Sequence, residues 1–124
     1  MNATEMAMRA YTPDVAATKT ERAIEAQVLT SITNSLRNAK GDFPKLVTAL
    51  DRNRQFWTLL AADVSSDENL LGPDLRAKIL YLAEFTRRQT FSIISGDETV
   101  DVLIDINATI VEGLSSRGSA TCLA

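Results

Sequence analysis

The sequence predicts an all-α fold, a small up-down bundle of about four helices. Apolar residues recur at steps of three and four along several segments, which is the helical period. Short stretches rich in Gly, Pro and polar residues separate these segments, as helix ends require. The composition is 45% hydrophobic and 23% charged, close to the average of soluble domains. At 124 residues the chain is one domain with a modest core.

The second predicted helix is the clearest. It presents one face at alternating steps of four and three residues: Leu46, Leu50, Asn53, Trp57, Leu60 and Val64. Asn53 is the only polar residue on this face, where an unpaired buried amide costs about 1–3 kcal/mol. We therefore expect a core helix with one buried polar contact, capped by Asp42, with Pro44 in its first turn, ending near Asp63.

The first and third helices have recognisable ends. The spacing Thr18-x-x-Glu21 predicts a capping box at the start of a helix over about 19–39, with Gly41 following its end. The third helix is expected to begin at Gly72-Pro73-Asp74 and to end at Ser95-Gly96. Its core face starts at Leu75 and Ile79, and four further residues are expected to widen that face: Leu80, Ala83, Phe91 and Ile94.

The segment 100–114 fits two patterns. Its residues alternate between apolar and polar as in a strand, and they also match a helical stripe. An uninterrupted length that exceeds a typical strand favours a fourth helix. Residues 1–17 are interpreted as a flexible N-terminal arm, 18–114 as the helical domain and 115–124 as a disordered tail. Short connections at 40–42 and 96–97 imply antiparallel neighbours.

Composition argues against an enzyme. The chain has no histidine, the commonest general base and metal ligand, and its single cysteine lies in the expected tail. No glycine-rich phosphate loop is present, so we expect neither metal nor cofactor. A net charge of -3 gives no general attraction to nucleic acid or to an anionic membrane. Without a long apolar run or a signal-peptide pattern, we expect a cytoplasmic protein that does not insert into membranes.

Three apolar residues lie beside the main apolar faces: Phe56, Val102 and Ile106. They are either additional core or an exposed groove for another helix. A spare apolar face could also form a homodimer, so monomer and homodimer both stay open. Asn53 and Asn107 occupy core-facing positions, where a pair between their side chains, or bonds to facing backbone, would set the register of the helices. The alternative role for both asparagines is recognition of a binding partner.

Four arginines are the alternative candidates for a partner or RNA surface: Arg52, Arg54, Arg87 and Arg88. Acids elsewhere offset their charge, and the aromatic residues are too few for a platform that stacks bases. Ordinary exposed arginines, whose stems cover apolar surface, are the commoner explanation. We therefore do not expect nucleic-acid binding.

Several blocks of the sequence resemble one protein family. Residues 49–63, ALDRNRQFWTLLAAD, resemble the central motif of the flagellar FlaF family of alphaproteobacteria. The blocks LRAKI at 75–79, TRRQT at 86–90 and LIDIN at 103–107 follow in the same order, with Gly113-Leu114 closing the domain. The resemblance covers about 17–114. It departs from the family pattern at Phe85, where tryptophan is common, and at Ala108, where arginine often stands.

The resemblance implies a cytoplasmic, non-enzymatic factor for flagellar filament assembly. Such proteins act with flagellin, supporting its synthesis or secretion, in some bacteria opposite the translational repressor FlbT. Our hypothesis is chaperone-like binding of an amphipathic flagellin terminus in an apolar groove that includes Phe56, Val102 and Ile106. The alternative is a post-transcriptional regulator that contacts flagellin mRNA or FlbT through the four arginines. A structural adaptor in the export apparatus is a third reading.

Overall fold

The computed structural model describes the backbone of residues 15–66 and 71–123, and the side chains of residues 25–66 and 71–113. Within these ranges the chain forms four helices: α1 (Val15–Asn38), α2 (Phe43–Val64), α3 (Pro73–Ile94) and α4 (Asp101–Leu123). None of the described residues forms a strand. The predicted all-α fold is confirmed, and residues 101–114 are helical although their alternation also fits a strand.

Several helix ends follow the local chemistry of the sequence. The side chain of Asp42 caps α2 by accepting a hydrogen bond from the backbone N–H of Lys45 at 3.2 Å. Gly41 and Gly96 lie three and two residues beyond the ends of α1 and α3 and have φ values of +83° and +84°, a conformation that side chains disfavour. Gly72 is the N-cap of α3. The ends predicted from these residues are therefore correct.

Two helices are longer than predicted. α1 begins at Val15, so the spacing Thr18-x-x-Glu21 lies inside the helix and does not mark its start. α4 continues to Leu123, past the Gly113-Leu114 end expected from the sequence, and the side chains of residues 114–124 lie outside the described ones. Gly113 does not adopt a positive φ, and no proline follows it, so nothing local terminates this helix. Residues 1–14 of the expected arm lie outside the described residues.

The core consists of two apolar clusters at different levels of the bundle. The first cluster joins the end of α1, the start of α2, the end of α3 and the start of α4: Leu36, Ala39, Ala49, Leu50, Ile93, Val100, Leu103 and Ile104. The second joins the end of α2 to the start of α3: Trp57, Leu60, Val64 and Ile79. Ends and starts that alternate in this way establish the predicted up-down topology.

The four sides of the bundle differ in how closely their helices pack. α1 packs closely against α4 and against α2, and α2 packs closely against α3. Within the described part of the chain α3 and α4 approach each other less closely, and Ile93 of α3 joins Val100 and Leu103 in the first cluster. The α3–α4 side is therefore the loosest of the four.

Candidate functional site

A buried polar junction lies where the two clusters meet and is formed by Asn53, Asn107 and the indole N–H of Trp57, whose ring belongs to the second cluster. Asn53 and Asn107 are 0% exposed, and Trp57 is 1% exposed. The side-chain amide of Asn107 donates from Nδ2 to Oδ1 of Asn53 at 2.8 Å. The indole Nε1 of Trp57 donates to Oδ1 of Asn107 at 3.0 Å. These two hydrogen bonds connect α2 directly to α4 across the middle of the bundle.

The junction determines how α4 is positioned along α2. Apolar contacts tolerate sliding, but displacement of α4 would leave the buried amide and indole groups without partners, at about 1–3 kcal/mol for each group. The pair between Asn53 and Asn107 is one of the two arrangements considered from the sequence. The hydrogen bond from Trp57 was not foreseen. It could have been, because Trp57 lies four residues after Asn53, and a buried indole N–H needs an acceptor.

The polar core is not completely satisfied. Nδ2 of Asn53 and Oγ1 of Thr86 are buried and have no hydrogen-bond partner, whereas Oγ1 of Thr90 donates to the backbone carbonyl of Thr86 at 2.7 Å. Asn53 therefore makes one side-chain hydrogen bond in the junction, while Asn107 makes two. Asn107 is the central residue of the junction.

The three apolar candidates are all half-buried. Phe56 and Ile106 pack against the second cluster, and Val102 packs against the first. The Phe56 ring stands edge-on to Trp57, with 6.4 Å between centroids and an interplanar angle of 84°. The structure thus gives each residue a packing role while leaving part of its surface accessible, and it does not place all three on one cluster. Their role in partner binding stays a prediction.

Two neighbouring contacts show which flanks of α3 and α4 carry the half-buried apolar residues. Asp101 pairs with Lys40, just after α1, so Ile106 lies about 140° around α4 from the α1 side. Arg76 binds the end of α2 through the carbonyl of Val64 at 2.7 Å, so Phe85 lies about 180° around α3 from that side. Ile106 and half-buried Phe85 therefore belong to flanks near the loose α3–α4 side.

Other apolar side chains are exposed on α2 and α3. The set comprises Phe43, Val47, Leu59, Leu80, Tyr81, Phe91 and Ile94. Leu80, Phe91 and Ile94 are 39%, 61% and 42% exposed, so the expectation that they widen the core face of α3 is wrong. They lie on the flank of α3 that carries Arg76, and they belong to neither apolar cluster. Helical periodicity predicts which residues lie near the core face. It does not predict how much of that face a neighbouring helix covers, so these three residues were wrongly expected to be buried.

The two candidate arginines on α3, Arg87 and Arg88, share one acidic partner of their own helix, Glu84. Arg87 donates two hydrogen bonds to the carboxylate of Glu84, at 3.0 and 2.7 Å, and Nε of Arg88 lies 3.9 Å from the same carboxylate. The hydrogen bond from Arg87 lowers the pKa of Glu84 and raises the pKa of Arg87, because each charge stabilises the other. Glu84 therefore offsets one of the two positive charges at this place.

The arginines on α2 point to different sides. Arg54 pairs with Asp51 at 3.0 Å, and Arg52 donates to Oγ of Ser35 on α1 at 3.2 Å. Two residues apart on a helix means about 200° around its axis, so the structure does not gather the four arginines into one basic surface.

A shallow groove lies between α1 and α2. It has a volume of about 460 Å³ and is lined by Ser35, Asn38, Ala39, Pro44, Lys45, Thr48, Ala49 and Arg52. The described residues include no group of three or more His, Cys, Asp or Glu side chains that could hold a metal ion. No helix in the described ranges is both long enough and apolar enough to cross a membrane.

Comparison with known proteins identifies the family. The family model for flagellar protein FlaF matches residues 7–114, which include the junction and both apolar clusters. The chain belongs to the FlaF family. The resemblance inferred from the sequence blocks is therefore confirmed, and the chain is a flagellar protein by family. No curated protein and no solved structure matches it.

Proposed function

We propose that this FlaF family member is a non-enzymatic flagellar assembly factor that binds flagellin in a chaperone-like manner and supports its synthesis or secretion. Membership of the family carries the flagellar part of this proposal. The binding part is supported by partly accessible apolar side chains beside the loose α3–α4 side of the bundle. An amphipathic helix binds such a surface by laying its apolar face between two helices.

The proposed groove contains Val102 and Ile106 of α4 and Phe85 of α3, all half-buried. A client helix that covers these residues would remove their remaining apolar surface from water, which contributes about 25 cal/mol per Å². Flagellin before secretion is, in this proposal, an unfolded client whose terminus becomes helical on binding. Phe56 packs on the same cluster as Ile106 and is proposed to support the groove through Trp57.

Binding to purified flagellin tests the proposal. Calorimetry should show association with the wild-type chain, and Val102→Asp and Ile106→Asp should each weaken it at least tenfold, since each buries a charge against the client. Phe56→Asp tests the supporting role. Leu59→Asp is the matched control, because Leu59 is 53% exposed on α2 and should leave binding unchanged.

Circular dichroism shows which variants are folded. If an aspartate variant loses its helices, Val102→Thr and Ile106→Thr take its place, because threonine stays branched at Cβ but places a hydroxyl against the client. Unchanged flagellin binding by folded groove variants would remove the groove from the proposal. Failure of the wild-type chain to bind flagellin would overturn the chaperone-like function itself.

The alternative, regulation through flagellin mRNA or FlbT, has less support. Arg54, Arg87 and Arg88 lie beside acidic partners, and pairing of this kind reduces the charge available to phosphates. A salt titration separates the two functions: RNA binding weakens steeply with salt, whereas burial of an apolar helix changes little. Steeply salt-dependent binding of flagellin mRNA by the wild-type chain would favour the alternative.

A further inference from the structure

An exposed stripe runs along α3 at steps of four, three and four residues. It consists of Leu80, Glu84, Arg87 and Phe91 and is called the α3 stripe here. Leu80 and Phe91 are 39% and 61% exposed, and the side chains of Glu84 and Arg87 are 53% and 54% exposed. In order, the stripe presents an apolar residue, an acid, a base and an apolar residue.

Contacts within the stripe hold its charged residues in place. Arg87 donates two hydrogen bonds to Glu84, and its guanidinium lies over the Phe91 ring, 6.0 Å from the centroid. A planar guanidinium over an aromatic face is a favourable arrangement. The acid, the base and the ring therefore share one face of α3 and contact one another within the chain.

The spacing of the stripe is symmetric about a point between residues 85 and 86. If a second α3 lies antiparallel across a twofold axis at this point, Glu84 faces the partner's Arg87 and Leu80 faces the partner's Phe91. The same operation places Arg87 against the partner's Glu84, so both charges on each chain are matched. A twofold interface must be complementary to itself, and this stripe meets that condition.

We propose that the α3 stripe is the docking surface for a second copy of this chain, which forms an antiparallel twofold homodimer. Charge complementarity selects the occupant, because the chain itself supplies both the matching acid and the matching base. Ile94, which is 42% exposed, extends the apolar edge. The twofold axis places it opposite the partner's Ala77.

The proposed dimer leaves the flagellin groove accessible. Arg87 lies two residues after Phe85 and therefore about 200° around the α3 axis from it. The stripe and the α3–α4 side are thus different flanks of the same helix. The dimer is independent of the proposed function, and either can fail alone.

Charge reversal with mixing tests the dimer. We expect sedimentation equilibrium to show a dimer for the wild-type chain. In Glu84→Arg all four facing charges become positive, and in Arg87→Glu all four become negative, so each variant alone should dimerise at least tenfold more weakly. An equimolar mixture places two positive charges against two negative charges. It should restore a dimer that native mass spectrometry identifies as one chain of each variant.

The pair Asp51 and Arg54 provides a matched control. These residues have the same spacing on α2 and a similar exposure, and Val47 precedes them at the same distance, but polar Thr58 occupies the fourth position. Asp51→Arg and Arg54→Glu should leave the dimer unchanged. Phe91→Ser should weaken the dimer without altering the helical circular dichroism spectrum.

Three outcomes of these dimerisation experiments would contradict the proposal. A monomeric wild-type chain at the highest concentrations accessible to ultracentrifugation would overturn it. Dimerisation that survives both charge reversals would place the interface elsewhere. Weakened single variants that fail to recover on mixing would exclude the antiparallel register. Flagellin binding measured on the same variants tests the proposed function separately.

Discussion

Substitution of Asn107 by alanine is the most informative test of the polar junction. It removes the acceptor of the Trp57 indole and the donor to Asn53. Two buried groups, Nε1 of Trp57 and Oδ1 of Asn53, then have no partner. Each such group costs about 1–3 kcal/mol, so the loss is about 2–6 kcal/mol before any cavity is counted. This is a large fraction of the roughly 5–15 kcal/mol stability of a typical domain.

Substitution of Asn53 by alanine provides the internal comparison. It removes one hydrogen bond and leaves Nδ2 of Asn107 without its partner, at about 1–3 kcal/mol. It also eliminates Nδ2 of Asn53, which is buried and unpaired in the wild-type chain, and this offsets part of the loss. The two substitutions remove the same atoms, yet Asn107→Ala should destabilise the fold by about 1–3 kcal/mol more than Asn53→Ala.

Urea unfolding followed by fluorescence and circular dichroism measures this difference. Trp57 is the only tryptophan in the sequence, so its emission reports directly on the junction. With a slope of about 1–3 kcal/mol per M urea, a difference of about 2 kcal/mol separates the two midpoints by roughly 1 M. If Asn53→Ala proves as destabilising as Asn107→Ala, the assignment of Asn107 as the central residue is wrong.

Two further predictions concern contacts between elements. Arg76 donates hydrogen bonds to the carbonyl of Val64 and to a second carbonyl beyond the end of α2. Arg76→Met should therefore lower the free energy of unfolding by about 1–3 kcal/mol. Lys78→Met, at an exposed position of the same helix, should leave the urea midpoint unchanged. The hydrogen bond from Lys40 holds the pKa of Asp101 below its ordinary value of 3.8. The pair therefore stabilises the folded state above pH 3.8, and this contribution disappears as the pH falls through the lowered pKa. Lys40→Met should therefore reduce stability at neutral pH and have little effect at the acid end of a pH series, and an equal loss at both ends would contradict the ion-pair explanation.

Local structure follows from the sequence because its causes are local. The cap at Asp42 and the glycines at 41 and 96 require only neighbouring backbone groups, and each is found where it was predicted. The face that carries Leu50, Asn53 and Trp57 is also specified by spacing alone. Family membership was accessible as well, because four blocks occur in the expected order.

Features that depend on neighbouring helices were predicted less well. Leu80, Phe91 and Ile94 were expected near the core, but periodicity cannot say how wide a face the adjacent helix covers. The start of α1 was misplaced because the spacing of a capping box also occurs inside helices. The partial exposure of Val102 and Ile106 depends on how far α3 and α4 separate, which no local pattern encodes.

The sequence by itself determined the helices, most of their ends and the polar residues that had to be buried, since backbone hydrogen bonding and apolar spacing act over a few residues. Only the tertiary structure decided which groups pair within the junction and which apolar residues stay accessible. Those outcomes depend on distances between helices that are remote in sequence. Asn53 and Asn107, which lie on α2 and α4, meet because packing of the apolar residues brings those helices side by side, and their hydrogen bond then sets the register.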